Sequence, residues 1–243
     1  MSFRFFALML LLSACGYSNK KPQAPTRHPS KPLTKQAAKN TTFPATLVDV
    51  QQLNAAIWID LKYASVDNFM HKKLYHSLTK AYLQKDVALR LSAVQDALNK
   101  RHLGFHLLIY DALRPVSVQQ LMWDALDSIP VARRVKFVSN PAHYSLHNFG
   151  AAIDLTICNQ QHQELDMGAG FDDPRLIAYP SLEDSFLRSG ALSQAQYANR
   201  LLLRTLMQDQ QFRQLPSEWW HFNACSRQEA KQRYQVVWHE AQN

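Results

Sequence analysis

The stretch SLHNFGAAIDLTI, residues 145–157, places His147 and Asp154 seven positions apart in an otherwise apolar segment. A carboxylate buried in such a segment is costly to desolvate unless a positive charge meets it. The neighbouring residues in the sequence include no lysine or arginine. A bound metal ion would supply that charge, and the rest of the chain must then provide further ligands.

The same stretch predicts a strand and a bend. Alternate apolar residues from Ile153 to Ile157 would face the core and Asp154 the opposite side, because successive strand residues point to opposite faces. His147 cannot extend this strand, since an odd separation would turn it away from Asp154. We therefore expect the chain to bend at residues 148–150, so that His147 and Asp154 converge from a turn and a strand.

A second polar cluster, SEWWHF at residues 217–222, follows Pro216 and has the bulky composition of a strand. It places Glu218 three residues before His221. Zinc binds nitrogen and carboxylate ligands, and a catalytic zinc site keeps one position for water. Such water loses a proton near neutral pH, and a nearby carboxylate can transfer that proton. Together the two clusters contain the residue types that metal-assisted hydrolysis needs.

From residue 43 onward the chain alternates helix and strand patterns without an internal repeat or a second linker. With 243 residues and 47% hydrophobic content, it can bury a sizeable core. Strands scattered among helices indicate an α+β fold. We therefore expect residues 43–243 to form a single α+β domain.

Hydrophobic periodicity predicts the other elements of this domain. Alternation from Ile57 to Tyr63 and the run at residues 105–110 indicate strands, and spaced apolar residues from Leu83 to Leu98 indicate one face of a long helix. Further helices are expected after Pro115, with Val118, Leu121, Met122 and Leu126 inward, near residues 181–189 and 193–213, and after a capping box of Ser226 and Glu229.

The opening residues, MSFRFFALMLLLSAC, resemble a bacterial lipoprotein signal. The apolar run from Phe5 to Leu12 is far shorter than the about 20 residues that span a membrane, and small residues then precede Cys15. We predict a signal peptide at residues 1–14 and lipidation of Cys15. An ordinary signal peptide with a chance cysteine is the alternative. With Gly16 next to it, the lipidated cysteine predicts a periplasm-facing protein of the cell envelope, anchored in the outer membrane.

Residues 15–42 are rich in Lys, Pro, Ser, Thr, Gln and Asn, which indicates a flexible tether. Seven basic and no acidic residues precede Asp49, so the rest of the chain carries only +1 of the net charge of +8. The basic balance therefore gives no support to a nucleic-acid-binding domain. A cationic tether lying along anionic surface polymer or lipid fits the charge better.

The two clusters together resemble the zinc D-alanyl-D-alanine dipeptidase family of the vancomycin-resistance type. The pattern S-x-H-x-x-G-x-A-x-D is matched in full at residues 145–154, and E-x-W-H at residues 218–221. Three further segments resemble motifs of this branch: DLKYASVDNF at 60–69, DALRP at 111–115 and DMGAGFD at 166–172. The resemblance runs from about residue 47 to residue 240. It implies a small central, mostly antiparallel sheet flanked by helices, as in D,D-carboxypeptidases and the hedgehog signalling domain.

The resemblance also implies one zinc ion per chain and a role for each matched residue. The implied zinc ligands are His147, Asp154 and His221, and Glu218 is the implied general base. Arg114 would lie by the scissile carbonyl, where a cation that stays charged stabilises developing negative charge.

For the substrate, the resemblance implies that Asp172, with Tyr63, holds the ammonium group and that Ser145 meets the terminal carboxylate. Asp111 would orient its neighbours from behind the site. Ala112 and Leu113 depart from the Gly-Tyr usual before the arginine, which puts the local lining in doubt. Trp219 and Trp220 would form pocket wall or core.

The implied activity is hydrolysis of D-Ala-D-Ala or of related wall-derived D,D-dipeptides. The alternatives are a D,D- or L,D-carboxypeptidase that trims peptidoglycan stem peptides and a noncatalytic zinc-holding lipoprotein that binds the cell wall. Trp219 stands where the carboxypeptidase branch commonly has proline, which favours the dipeptidase. Glu218 and Arg114 argue against the noncatalytic protein, because binding alone needs no proton carrier.

Cys158 and Cys225 each lie four residues beyond an implied zinc ligand. An oxidising periplasm would allow a disulfide between them. Parallel strands would keep these equal offsets together and antiparallel strands would separate them, so a disulfide and two buried free thiols both remain open. Zinc ligation by either cysteine is not expected, since two histidines and an aspartate already complete a catalytic set.

Overall fold

A computed structural model describes residues 43–241 of the chain. The proposed signal peptide at residues 1–14, the lipidation site Cys15 and the tether at residues 15–42 lie outside the described residues. They stay predictions.

A five-stranded mixed sheet forms the centre of the fold, in the order β2-β4-β5-β7-β6, and β1 and β3 form a separate pair. The seven strands of the described residues are β1 (Leu47–Asp49), β2 (Trp58–Ile59), β3 (Tyr82–Gln84), β4 (Phe105–Asp111), β5 (Ala152–Asn159), β6 (Arg213–Leu215) and β7 (Glu218–Asn223). Every pairing is antiparallel except that between β2 and β4. The predicted mostly antiparallel sheet is confirmed.

Helices surround this sheet and complete the α+β class. The α-helices of the described residues are α1 (Val50–Leu53), α2 (Lys85–Arg101), α3 (Val116–Ala125), α4 (Val131–Arg134), α5 (Glu183–Ser189), α6 (Gln194–Asp209) and α7 (Arg227–Arg233). Short 3-10 helices lie at Lys62–Ala64, Pro141–His143, Leu146–Phe149, Leu176–Ala178 and Pro180–Leu182. Within residues 43–241, no helix combines the length and the apolar character needed to cross a bilayer.

The main hydrophobic core lies between the sheet and the long helices. Leu91 and Leu98 of α2 are fully buried in the same cluster as Ile109 of β4 and Leu155 of β5. Ile109 and Leu155 are cross-strand partners, so they present one continuous apolar face to the helices. Burying this face from both strands makes β4 and β5 the rigid base on which the rest of the fold is built.

The other face of β5 is buried too, although the alternation predicted a core on one side. Ala152, Asp154 and Thr156 on that face are as inaccessible as the apolar residues between them. Asp154 pairs with His221 of β7 and with Asp111 of β4. The second face is therefore covered by polar side chains that meet one another.

A bulge in β4 decides which residue of β4 meets Asp154. Ile109 pairs with Leu155, and Asp111 pairs with the next residue, Asp154, so Tyr110 is an extra residue in the ladder. Such a bulge redirects the side chains that follow it. Without it, Asp111 would share the face of Ile109 and point into the apolar core. Three polar side chains thus stand in a row across β4, β5 and β7.

The predicted bend between His147 and Asp154 is confirmed. The 3-10 helix Leu146–Phe149 carries His147 and ends at Gly150, which has a left-handed φ of 64°. A Cβ atom at Gly150 would lie 2.6 Å from the Leu47 side chain, so glycine meets both the conformational and the spatial demand there.

Three element predictions need correction. The strand predicted from Ile57 to Tyr63 is only the two residues of β2, because the Tyr63 carbonyl accepts hydrogen bonds from the backbone of Leu74 and Tyr75 and holds a 3-10 turn there. Leu83, predicted on the face of the long helix, lies in β3, two residues before that helix begins.

Leu121 was expected inward on α3, but 51% of it is exposed. Its neighbour Met122 is buried, which turns the core face of the helix away from Leu121. The capping box of Ser226 and Glu229 begins α7 as predicted.

Cys158 and Cys225 are both buried free thiols. β5 and β7 run antiparallel with Asp154 opposite His221, so equal offsets beyond these residues lie in opposite directions. Strand direction, which the sequence left open, therefore decides against the disulfide.

Candidate metal centre and substrate cavity

His147, Asp154 and His221 bring three potential metal-ligand atoms together at the polar face of the sheet. The Nε2 atom of His147 lies 3.2 Å from Nδ1 of His221, which lies 2.8 Å from Oδ1 of Asp154. Nε2 of His147 is 3.4 Å from the other Asp154 oxygen. Zinc bonds of about 2.0–2.1 Å in a tetrahedron place ligand atoms about 3.3 Å apart. The spacing therefore fits a single zinc ion.

Hydrogen bonds behind the two histidines fix which ring nitrogen faces this point. Nδ1 of His147 donates to the carbonyl oxygen of Ala112 at 2.7 Å, which leaves Nε2 with its lone pair toward the centre. Nε2 of His221 lies 2.9 Å from Oδ1 of Asn223, which leaves Nδ1 for the centre. Such partners commonly orient histidine ligands in metal sites. Two ring nitrogens and a carboxylate oxygen thus converge on one point, as the ligands of a metal ion do.

Asp154 and His221 each shift the pKa of the other. Burial opposes the ionised form of Asp154, but contacts with His147 and His221 hold the pKa of this carboxyl well below its usual value. Burial likewise opposes the charged form of His221, but the hydrogen bond and charge of Asp154 raise its pKa to about 9. The aspartate is therefore ionised at neutral pH, as a metal ligand must be.

Glu218 lies beside the three ligand atoms. Its Oε2 atom is 3.9 Å from Nδ1 of His221, and 29% of its side chain is exposed to the cavity. Burial raises the pKa of Glu218 above its usual value, and His221 opposes this rise. A carboxylate with a raised pKa next to the metal position is suited to accept and return a proton.

Arg114 approaches the centre from the residues that follow β4. Its Nε and Nη2 atoms lie 2.8 and 2.7 Å from Oδ2 of Asp111, and Nη2 lies 3.4 Å from Oδ2 of Asp154. Asp111 also accepts a hydrogen bond of 2.5 Å from the hydroxyl of Tyr75. The guanidinium is thus held in one orientation, and it supplies the positive charge near Asp154 that the local sequence lacks.

Asp172 and Tyr63 form a second polar pair in the same cavity. The Tyr63 hydroxyl lies 3.0 and 3.2 Å from the two carboxylate oxygens of Asp172. Burial and the nearby charge of Asp154 raise the pKa of Asp172 well above its ordinary value. Asp172 adopts a left-handed φ of 58°, a conformation that aspartate tolerates better than most residues. A half-buried carboxylate at the cavity wall is suited to an incoming cationic group.

Ser145 begins the 3-10 helix that carries His147. Its hydroxyl oxygen accepts a hydrogen bond of 3.2 Å from the backbone N–H of His147, and its backbone N–H donates to the Asn148 side chain at 2.7 Å. The hydroxyl hydrogen remains free to donate to a ligand.

One cavity of about 210 Å³ joins these side chains. Its volume is below the about 300–1,000 Å³ usual for drug-sized ligands, so it suits a small ligand. It is lined by all eight predicted metal, catalytic and substrate residues: Tyr63, Arg114, Ser145, His147, Asp154, Asp172, Glu218 and His221. A larger cavity of about 560 Å³ between α7 and the end of α6 contains none of them.

The two tryptophans of the second cluster lie in the core or at the pocket wall, as predicted. Both belong to the buried core cluster, and Trp220 also lines the cavity. The two residues that depart from the family pattern, Ala112 and Leu113, are compatible with the site. Ala112 contributes its carbonyl oxygen, which any residue could supply, and Leu113 packs with Leu47 away from the cavity.

Sequence analysis did not predict a role in the site for three polar residues. Asn223 holds His221, Tyr75 holds Asp111, and the buried Asn148 donates from its amide to the carbonyl of Arg114 at 2.7 Å. Asn223 follows His221 by two positions on a strand, so alternation could have placed both side chains on one face. No local sequence pattern indicates that Tyr75 contacts the site.

Comparison with known proteins agrees with this geometry. The D-ala-D-ala dipeptidase family matches residues 44–239. A D-alanyl-D-alanine dipeptidase of Escherichia coli (strain K12) is 35% identical over 72% of this chain and 83% of the relative. One of Enterococcus faecalis (strain ATCC 700802 / V583) is 31% identical over 71% of this chain and 87% of the relative.

Among solved structures, a mutant of the vancomycin resistance D,D-pentapeptidase VanY in complex with Zn(II) matches with 14% identity and a TM-score of 0.34. It covers 65% of this chain and 81% of that one, a likeness too weak for comparison of individual positions. The family match alone spans most of the described residues. The chain belongs to the D-Ala-D-Ala dipeptidase family of zinc metallopeptidases.

Proposed function

We propose that this protein is a zinc-dependent dipeptidase that hydrolyses D-Ala-D-Ala or closely related wall-derived D,D-dipeptides. The observation that carries the proposal is the convergence of three ligand atoms beside Glu218 in one small cavity. The family to which the chain belongs gives the substrate class.

His147, Asp154 and His221 would hold the zinc ion, which when bound acidifies a water molecule and polarises the substrate carbonyl. Glu218 takes a proton from the attacking water and returns it to the leaving amine. Arg114, fixed by Asp111, places a permanent positive charge where the carbonyl oxygen becomes negative. Hydrolysis of the single peptide bond consumes one water and releases two amino acids.

The cavity also favours a substrate with a free amino group. Asp172, paired with Tyr63, offers a half-buried carboxylate to the ammonium of the first residue. A longer stem peptide would present an uncharged amide at this position and would form no ion pair with Asp172. This favours the dipeptidase over the carboxypeptidase.

Mass spectrometry of products from D-Ala-D-Ala, L-Ala-L-Ala and a pentapeptide ending in D-Ala-D-Ala would test the proposal. We expect D-alanine from the dipeptide only, and its loss after zinc is removed with a chelator. Release of D-alanine from the pentapeptide would favour the carboxypeptidase instead. A zinc-loaded protein that cleaves no D,D-peptide would favour the noncatalytic wall-binding lipoprotein.

We also propose that the chain is exported, lipidated at Cys15 and anchored in the outer membrane facing the periplasm. The support is the short apolar run followed by small residues and Cys15. Cys15→Ser should abolish fatty-acid labelling and release the protein from the membrane fraction. Membrane association that persists in a parent carrying no labelled fatty acid would contradict this proposal.

A further inference from the structure

Two arginine side chains line the substrate cavity among the described residues, Arg114 and Arg227. Arg114 is already committed to carboxylates of the protein, since its guanidinium contacts both Asp111 and Asp154. A zwitterionic dipeptide brings a carboxylate of its own into a cavity that contains Asp154, Asp172 and Glu218. Its carboxylate needs a cation that the protein has not already neutralised.

Arg227 meets this requirement. Within residues 43–241 it forms no ion pair or side-chain hydrogen bond, and it is exposed at the wall of the cavity. Other charged residues nearby are paired: Arg233 contacts Asp86 at 2.5 Å, and Arg213 lies 3.8 Å from Glu229. A free arginine facing a small polar cavity is available to a ligand.

The fold places Arg227 near Ser145. Arg227 is the first residue of α7, and α7 packs against the 3-10 helix Leu146–Phe149 that Ser145 begins. Ala230 of α7 and Phe149 belong to one small buried cluster that fixes this contact. Both Ser145 and Arg227 line the cavity, so a single ligand can meet the hydroxyl and the guanidinium.

We propose that Arg227 binds the terminal carboxylate of the substrate together with the Ser145 hydroxyl, and so makes the enzyme select peptides with a free C-terminus. This inference rests on the proposed function. Arginine presents paired N–H donors in the geometry of a carboxylate, and such charge-assisted bonds are stronger than neutral ones. Asp172 with Tyr63 would then bind the ammonium group of the dipeptide, and Arg227 with Ser145 would bind its carboxylate.

Steady-state kinetics of Arg227→Gln tests the proposal, with D-Ala-D-Ala and D-alanyl-D-alaninamide as substrates. Loss of a hydrogen-bonded charge should raise KM for D-Ala-D-Ala by about tenfold or more, while kcat changes little because the reacting atoms are untouched. The amide has no carboxylate, so its kcat/KM should stay at the parental value. Arg227→Lys should recover part of the loss. Arg188→Gln, an exposed arginine outside the cavity, is the matched control.

Calorimetric titration of the zinc-loaded Glu218→Gln protein separates this inference from the proposed function. We expect it to bind D-Ala-D-Ala about tenfold or more tightly than the amide, and expect Arg227→Gln in the same background to abolish that preference. Equal binding of the two ligands, or a preference that survives Arg227→Gln, would overturn the inference. A parent that cleaves no D,D-dipeptide overturns the proposed function alone, because the titration requires no turnover.

Discussion

On the metal side of the cavity, two of the three proposed ligands stand on a different kind of structure from the residues proposed for the substrate side. Asp154 and His221 lie on β5 and β7 in the middle of the sheet and are cross-strand partners, whereas His147 lies on the 3-10 helix Leu146–Phe149. The substrate residues stand outside the sheet: Tyr63 and Ser145 at short 3-10 helices, Asp172 in a loop and Arg227 at the start of α7. Side chains on paired strands are positioned more rigidly than side chains on connections.

This difference separates chemistry from selectivity. Two of the three proposed ligands depend on the register of β5 and β7, so a change there should destroy the centre. The substrate residues depend on connections that can vary without disturbing the sheet. We therefore expect changes on the metal side to affect zinc and turnover, and changes on the substrate side to affect the choice of peptide.

The largest effects should come from the metal side itself. His221→Ala removes a ligand, and we expect loss of both zinc and activity. Glu218→Gln removes only the proton carrier, so zinc and the fold should remain while kcat falls by at least ~10² to 10⁴. Zinc content and D-Ala-D-Ala hydrolysis should be measured for both variants. A Glu218→Gln protein with near-parental turnover would rule out the proposed base.

Loss of the hydrogen bond between Asn223 and His221 should have the next largest effect. Asn223→Ala removes the acceptor for the ring nitrogen that faces away from the metal. Loss of such a partner weakens metal binding by about 10- to 100-fold. Competition with a chromogenic chelator would measure this. Asn223→Asp keeps an acceptor and should retain parental affinity; if both variants bind zinc equally, the hydrogen bond does not orient the ligand.

On the substrate side, Asp172→Asn should change selectivity and leave zinc in place. Removing the charge should raise KM for D-Ala-D-Ala by about tenfold, because its ammonium loses an ionic partner. N-acetyl-D-Ala-D-Ala lacks that ammonium, so the variant should lose its preference for the free dipeptide. The ratio of kcat/KM for the two peptides is the measurement, and Asp184→Asn, an exposed aspartate outside the cavity, is the control. An unchanged ratio would place the ammonium elsewhere.

The smallest effect on activity should come from Gly150, which ends the bend joining the two sides. The alanine of Gly150→Ala would have to adopt a left-handed φ and would also contact the Leu47 side chain. Gly190 has a left-handed φ of 74° too, but it has open space around it. A left-handed alanine alone costs about 1–2 kcal/mol. Gly150→Ala should therefore lower the free energy of unfolding by more than Gly190→Ala does, as measured by denaturant unfolding. Equal losses would show that Leu47 adjusts without cost.

The sequence by itself indicated two polar clusters with the residue types of a metal site, and the bend that brings His147 to Asp154. These features are local: spacing within residues 145–157 and 217–222, a glycine at the turn and the alternation of a strand. The family resemblance assigned His147, Asp154 and His221 as ligands and Glu218 as the general base. It added Arg114, Asp172, Tyr63 and Ser145, and the fold brings them into the same cavity.

Only the tertiary structure decided how distant segments meet. The bulge at Tyr110 turns Asp111 toward Asp154, and Arg114 supplies a charge from a position 40 residues away. Other contacts between distant segments hold the 3-10 turn that follows β2, and the antiparallel pairing of β5 and β7 separates Cys158 from Cys225. Local propensity contains no information on strand direction, register or bulges, because these are set by the packing of segments far apart in the chain.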